Sequence, residues 1–264
     1  MSGGPDSMAL MLLAHAHGLI VTAIHVDHGL RAESGSDINA IDPVAESLGI
    51  TVIVHSVQVE HGPNLEARAR AARYGVLPSD VMTGHTADDQ AETVLINLLR
   101  GAGAQGLGAM RPGYSRPLLA LRRSDTHAVC AAAGISTITD STNTDPKFQR
   151  NRVRNELLPL MADISLRDPV PLLLRSADVL RDDNDLLEEL SLNLDPTDAV
   201  ALAAAPAPLA FRALRRWLSD PYPPDLATLE RIMAVARGET LACDIGENRE
   251  IRRSKQRLIL QLLG

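Results

Sequence analysis

Aromatic side chains are scarce: Trp 1, Tyr 3 and Phe 2, or 2% of 264 residues. Proteins that read single-stranded RNA by stacking successive bases need several exposed rings, so a stacking platform of that kind is excluded. Cysteine is scarcer still. Cys130 and Cys243 lie far apart with no CxxC pair, which excludes zinc ribbons, disulfide scaffolds and cysteine-held clusters and fits a reducing cytoplasm. Long apolar runs are missing too. The stretch from Met8 to Ile24 is interrupted by His15, His17 and Gly18 and has no basic region ahead of it, so it reads as a helix feeding a strand, not as a signal peptide or membrane span. Finally, there is no excess of positive charge. Lys+Arg number 26 against 33 Asp+Glu, a formal charge of −7, which excludes an all-over basic coat but leaves local patches open.

What is present is ordinary for a globular chain: 45% hydrophobic and 22% charged residues, with length for one large domain and one small one. Residues after Pro5 suit a buried helix, and LIVTAIHV suits a strand. INAIDPVAESLG then reads as helix, ITVIVHSV as strand, NLEARARAARYGVL as helix, DVMTG as a short strand and TADDQAETVLINLLRG as helix. Helices alternating with strands at this spacing predict an α/β fold with a doubly wound parallel sheet, whose ligands sit beyond the carboxyl ends of the strands. A helix is expected within RPLLALRRSDTHAVCAAAGI, another starting at Arg150, and a long helical stretch over 166–190. From Leu194 the composition shifts to short helices and an end that alternates like a hairpin. The expected division is 1–160, a helical connection 161–193, and a small α+β unit 194–264.

Three features carry chemistry. Ser2-Gly3-Gly4-Pro5-Asp6-Ser7 opens a helix; glycines permit close backbone approach and the helix start offers free N–H groups to an anion, although such clusters are also common simple turns. His85 to Glu92 follows a strand and opens a helix, gathering Asp88, Asp89 and Glu92 over its first turn, where the alternative role is capping with a solvated acidic face. Basic residues form three groups: Arg150, Arg152 and Arg154; Arg212, Arg215 and Arg216; and Arg252, Arg253, Lys255 and Arg257. Each could be a solvated face or a phosphate-neutralising patch. Two further patterns are set aside. His25, Asp27 and His28 lack the remaining ligands of a metal site. Gly101 to Gly106 spells GxGxxG but ends a helix, where a dinucleotide fingerprint must open one.

SGGPDS resembles the pyrophosphate-binding loop of the N-type ATP pyrophosphatases. In order after it stand Val26-Asp27-His28-Gly29-Leu30-Arg31, Thr83 to Thr93 (TGHTADDQAET), Arg100-Gly101-Ala102-Gly103, Arg116-Pro117-Leu118-Leu119, Asp140 to Asn143 and Arg150-Asn151-Arg152-Val153-Arg154. This ordered set is similar to that of the tRNA(Ile)-lysidine synthetases, and the similarity spans Ser2 to about Pro159. The resemblance implies an ATP-binding catalytic domain over 1–160 and a tRNA-recognition unit over 194–264. It implies ATP held by Ser2, Gly3, Gly4, Pro5, Asp6 and Ser7, with Mg²⁺ at Asp6 and Asp89. Asp6, His85, Asp89, Glu92 and Arg100 are the implied catalytic set, and His28, Arg31, Arg150, Arg152 and Arg154 the implied substrate and RNA contacts. The implied reaction joins L-lysine to C2 of cytidine 34 in the CAU anticodon of tRNA(Ile) through an adenylated intermediate. A soluble cytoplasmic enzyme, with room for a homodimer and no membrane partner, is expected. Rival readings are tRNA 2-thiolation, which normally needs paired cysteines, an amide synthetase, and a catalytically silent nucleotide-binding protein. Since a loop of this type is normally fed by a strand, the fold is expected to lack that first strand, and the native chain to begin upstream of Met1.

Overall fold

The computed structural model describes residues 1–27, 38–58, 62, 65–138 and 145–263; of residues 65–67 it describes the backbone alone. His28, Arg31 and Asp140 to Asn143 lie outside the described residues. The chain divides into two compact units, Met1–Val179 and Leu180–Gly264.

In the first unit α1 (Pro5–Ala16) is followed by β1 (Thr22–Asp27), α2 (Ile38–Ser47) and β2 (Thr51–Ser56). The strands pair in parallel, Thr22 opposite Thr51 through Asp27 opposite Ser56, the geometry a crossover helix between them permits. Met8 and Met11 of α1, Ala23 of β1, Ile41 and Ala45 of α2, and Cys130 pack into one core. Next come α3 (Leu65–Val76), α4 (Ala87–Leu99), the four-residue α5 (Ala104–Leu107) and α6 (Arg123–Ala132), which packs on α1. A short α7 (Gln149–Arg152) runs into a widened π turn (Val153–Leu157) and then α8 (Leu158–Ser165). Val153 and Leu158 bury against Ala87, Ala91 and Leu95 of α4. The long α9 (Pro169–Ser191) leads on to the second unit.

The α/β class and parallel pairing follow the sequence expectation, and among the described residues no strand leads into the Ser2–Ser7 loop. The DVMTG strand does not form. Residues 81–86 build no ladder; Thr83 instead gives its amide to the Ser115 carbonyl at 2.9 Å. A strand needs a neighbour with matching free groups. Met1 lies alongside β1, its amine donating to the Ile24 carbonyl and its carbonyl facing His25 Nδ1 at 2.8 Å.

The second unit holds α10 (Ala199–Ala204), α11 (Ala207–Trp217), α12 (Leu226–Arg237) and three antiparallel strands, β3 (Ala242–Gly246), β4 (Arg249–Ser254) and β5 (Arg257–Leu262), in that order. The expected hairpin is therefore a meander. Its first turn uses Glu247 and Asn248, both with positive φ, a primed turn built on residues that do not advertise it. Leu202, Leu214, Leu229, Ile232 and Ile251 are fully buried in one core. Among the described residues no helix is long and apolar enough to cross a membrane.

Because Leu229 has no exposed surface, Leu229→Ala should cost about 2–5 kcal/mol through lost burial and a residual cavity. Urea denaturation of the full chain, followed by amide exchange in β4, measures this. A loss below about 1 kcal/mol would mean that the core collapses around the gap.

Candidate active site

The Ser2–Ser7 loop enters α1 through Gly3, whose φ of +68° is accessible at little strain only to glycine. Pro5 stands at the first helical position and Asp6 in the first turn. The hydroxyl of Ser7 donates to the Gly4 carbonyl at 3.0 Å and lies 3.3 Å from that of Ser2, while the Gly3 carbonyl accepts from the Ile138 amide at 3.0 Å. Two hydroxyls and the open N-terminus of a twelve-residue helix thus face one side, an arrangement suited to phosphate.

The α4 entrance is pressed onto this loop. A Cβ built on Gly84 would stand 2.7 Å from the Asp6 carbonyl oxygen, so residue 84 must be glycine for the two segments to touch. Asp89 caps α4, its Oδ2 accepting from the Thr86 amide at 2.9 Å and the Thr86 hydroxyl at 3.0 Å. Its Oδ1 accepts from Arg123 Nη2 and Arg150 Nη2, each at 3.2 Å. Glu92, one turn on and fully buried, takes Arg154 Nε on Oε1 and Arg150 Nε on Oε2, both at 2.6 Å, with Arg123 Nη1 at 3.4 Å. Asp88 accepts from Arg122 Nε at 3.1 Å, Arg122 Nη2 at 3.0 Å and the Arg123 amide at 2.7 Å; Arg122 also pairs with Asp168. Asp6 Oδ1 accepts from the Thr126 hydroxyl at 2.5 Å, and its Oδ2 lies 3.6 Å from Arg123 Nε.

The carboxylates differ in character. Burial works to raise the Asp89 carboxyl, but Arg150, the Thr86 amide and Arg123 outweigh it and hold it below the usual range. Asp6 lies above that range, pushed up by burial and by the Asp89 charge against the Thr126 hydrogen bond. Asp6 is therefore under-compensated, and a cation would relieve it. Among the described residues no three His, Cys, Asp or Glu side chains form a cation cage. A Mg²⁺ that arrives with a polyphosphate needs only one or two protein oxygens, and Asp6 fits that demand. The four lone-pair positions of Asp89 are already met by Thr86, Arg123 and Arg150.

His85 is half-buried beside this cluster. The Thr83 hydroxyl lies 2.8 Å from His85 Nδ1 and donates its proton to the Ser115 carbonyl at 3.0 Å. With the hydroxyl proton on the Ser115 carbonyl, the neutral ring carries its proton on Nδ1 and its lone pair on Nε2. Burial, aided by the charges of Arg70, Arg150 and Arg116, lowers the imidazole to a pKa of about 4.

The structure thus brings together Ser2, Gly3, Gly4, Pro5, Asp6, Ser7, His85, Asp89, Glu92, Arg150 and Arg154. Arg152 faces away, exposed and paired with Glu156 at 2.8 Å. Arg100 is exposed at the carboxyl end of α4, about 16 Å along the helix from Asp89 at 1.5 Å per residue. The glycine segment after it is tied back by Asn97, which donates to the Gly106 carbonyl at 2.7 Å, and by Gln90, which bonds Met110 through both amide atoms. Sequence reading missed Arg122, Arg123 and Thr126. Their one signal was position, on the turn into a helix whose charge pattern resembles any solvated helix start.

Residues 1–161 match the family model described as a PP-loop domain, and residues 198–259 the one described as a TilS substrate binding domain. The chain is similar to the tRNA(Ile)-lysidine synthase of Mycolicibacterium paratuberculosis, 42% identical over 233 residues, which is 83% of this chain and 72% of that one. The synthase of Nocardia farcinica is 39% identical over 262 residues, covering 90% and 82%, and that of Thermobifida fusca 37% over 261, covering 89% and 81%. Among solved structures, the U34-tRNA thiolase NcsA from Methanococcus maripaludis with its 4Fe-4S cluster superposes with a TM-score of 0.53 at 17% identity, covering 69% of this chain and 71% of that one. That likeness concerns the fold.

Two measurements test the site. Glu92→Gln leaves three guanidinium groups facing a neutral amide at a buried point and should cost about 3–5 kcal/mol of unfolding free energy; a loss under 1 kcal/mol would show that the arginines re-pair without it. A folded-state pKa below the unfolded value means that His85 contributes stability in full above pH 6.5, lost as pH falls through 6.5 towards 4. The His85 Cε1 proton should accordingly titrate by NMR with a midpoint near 4. A midpoint of 6 or higher would refute this account of its environment.

Proposed function

The chain belongs to the tRNA(Ile)-lysidine synthase family, and on that premise we propose that it joins L-lysine to C2 of cytidine 34 in the CAU anticodon of tRNA(Ile), consuming ATP. The observation that carries the reading is the close approach of Gly84 to Asp6, which sets a phosphate-binding loop against an acidic helix entrance. The cytidine O2 attacks the α-phosphate of ATP and pyrophosphate departs; the lysine ε-amine then adds at C2, and AMP leaves with O2 while the amine gives up a proton. The Ser2–Ser7 loop is proposed to hold the departing pyrophosphate through its N–H groups and hydroxyls. Asp6, joined by Asp89 if a guanidinium leaves it, is proposed to hold Mg²⁺, which when bound supplies charge neutralisation at the phosphates.

Asp89 and Glu92 are proposed to meet the lysine ammonium once a guanidinium has left them for a phosphate. His85, neutral with Nε2 free to accept, is placed to orient the amine once deprotonated. Arg150 and Arg154, held by those carboxylates, are proposed as contacts to the RNA or its adenylated intermediate, and Arg100 as a phosphate contact beside the glycine segment. Arg152 is proposed as an outer RNA contact. The roles of His28 and Arg31 rest on the family resemblance. Residues 198–259 are proposed to hold tRNA(Ile), and a cytoplasmic location is proposed with that reading. A thiolase reading is not favoured: Cys130 and Cys243 lie in different units, and Cys130 is buried against the Pro5 carbonyl.

Incubation of the chain with ATP, Mg²⁺, labelled lysine and a tRNA(Ile) transcript should place label on cytidine 34. Absence of transfer alongside intact ATP and tRNA binding would overturn the proposal. Asp89→Asn should reduce transfer at least tenfold, and full retention would remove Asp89 from the site.

A further inference from the structure

The arginines around His85 fall into two sets. Arg123, Arg150 and Arg154 are spent on Asp89 and Glu92. Arg70 and Arg116 are not: among the described residues neither has a carboxylate within ion-pair distance. Both lie close enough to His85 for their charges to weaken its hold on a proton.

Each is nevertheless held in place. Arg70 projects from α3 onto the ring of Tyr74 one turn on, with its guanidinium carbon 4.9 Å from the ring centre and Nη2 3.4 Å from the Tyr74 hydroxyl. A guanidinium lying on a ring is oriented while most of its N–H donors stay free. Arg116 sits in a tight turn closed by its own amide donating to the Gly113 carbonyl at 2.9 Å and anchored by buried Leu118 and Leu119. Its Nη1 reaches only the Arg111 carbonyl at 3.4 Å, and its Nε is buried with no hydrogen-bond partner. A buried guanidinium N–H without a partner calls for an explanation, and a bound anion is one; the Nε atoms of Arg68 and Arg249 likewise have no hydrogen-bond partner, so the position of Arg116 beside the His85 loop is what singles it out. Ser115, next to Arg116, accepts from Thr83, so this turn is fastened to the loop that carries His85.

We infer that Arg116, on the turn fastened to the His85 loop, and Arg70, on the exposed face of α3, each bind a backbone phosphate of the tRNA strand adjoining the reactive cytidine. The inference rests on the tRNA-modifying reading above. The phosphates of ATP have their own cradle at the helix start of the Ser2–Ser7 loop. Arg150 and Arg154, proposed above as contacts to the RNA, must first leave their carboxylates; Arg70 and Arg116 carry charge that no internal carboxylate among the described residues has claimed, which suits them to the strand beside the reactive nucleotide. In a chain with few aromatic rings, charge is the means of holding RNA that remains.

The test is equilibrium binding of the tRNA(Ile) transcript to the full chain without ATP, as a function of salt, together with the KM for ATP in the lysine-transfer assay. Arg70→Gln and Arg116→Gln should each weaken tRNA binding about tenfold at low salt and lower the slope of log affinity against log salt by about one, leaving the KM for ATP unchanged. Arg70→Lys and Arg116→Lys should restore most of the slope, because a phosphate is satisfied by charge. Arg70 is exposed on α3, so Arg70→Gln keeps the test alive if the Arg116 variant fails to fold. Unchanged tRNA affinity overturns the inference, as does a raised KM for ATP with tRNA affinity intact, which would assign the phosphate to the nucleotide. If the unaltered chain neither binds tRNA(Ile) nor transfers lysine, the reading beneath it fails as well; normal wild-type behaviour with silent variants sinks the inference alone.

Discussion

A carboxylate with no solvent exposure is costly unless charged donors surround it, and Glu92 is such a group. Its partners come from two distant segments: Arg123 from the start of α6, and Arg150 and Arg154 from the stretch that widens into the π turn. The requirement fixes where those segments lie against α4. Arg123 extends the constraint to Asp6, and through Asp6 to the first turn of α1, so the phosphate-binding loop inherits its position from a pairing made some distance away. Four carboxylates, Asp6, Asp88, Asp89 and Glu92, face four guanidiniums, Arg122, Arg123, Arg150 and Arg154. Such clusters give little net stability over apolar packing. Placement is the more natural explanation of this one, since every member lies within reach of the loop, the α4 entrance or His85.

The π turn belongs to the same design. Arg150 and Arg154, four residues apart, both reach Glu92, while Arg152 between them turns outward to Glu156. Inserting one wide turn at Val153–Leu157 lets Val153 stay buried against α4 while the arginine side chains on the same segment reach inward. Wide turns inside helices commonly mark such functional demands.

Much of the site was legible in the sequence because its local pieces obey local rules. A glycine pair before a helix, and a Thr with an Asp three residues on, are written in adjacent residues, and the structure uses them as a loop and a helix cap. The alternation of helices and strands likewise foretold the parallel pair. What could not be read was which charges meet. Arg123 lies 31 residues from Glu92 in sequence, and nothing in the string RRSDTHAV distinguishes an inward arginine from a solvated one. Arg150, Arg152 and Arg154 looked alike as letters, yet helical geometry sends two of them inward and one out. The missing DVMTG strand is a non-local failure of the same sort: its apolar residues suit a strand, but a ladder is decided by whether a partner edge stands beside it.

The pairing of charges also bears on how one pocket accepts both a polyanion and a cation. A pocket of strong positive charge would attract RNA and ATP but repel an ammonium; a strongly negative one would do the reverse. An internally neutral cluster avoids the choice, because its guanidiniums and carboxylates can exchange partners without changing the total charge. In the proposed reaction, a guanidinium that leaves Asp89 or Glu92 for a phosphate frees carboxylate oxygen for the lysine ammonium, so each substrate makes room for the other. Such an exchange replaces one charge-assisted hydrogen bond with another of the same kind and keeps its cost low. A formal charge of −7 is compatible with RNA as a substrate, because the sum over the chain counts mostly charges that lie elsewhere or are already paired and does not describe the cations that face the reacting base.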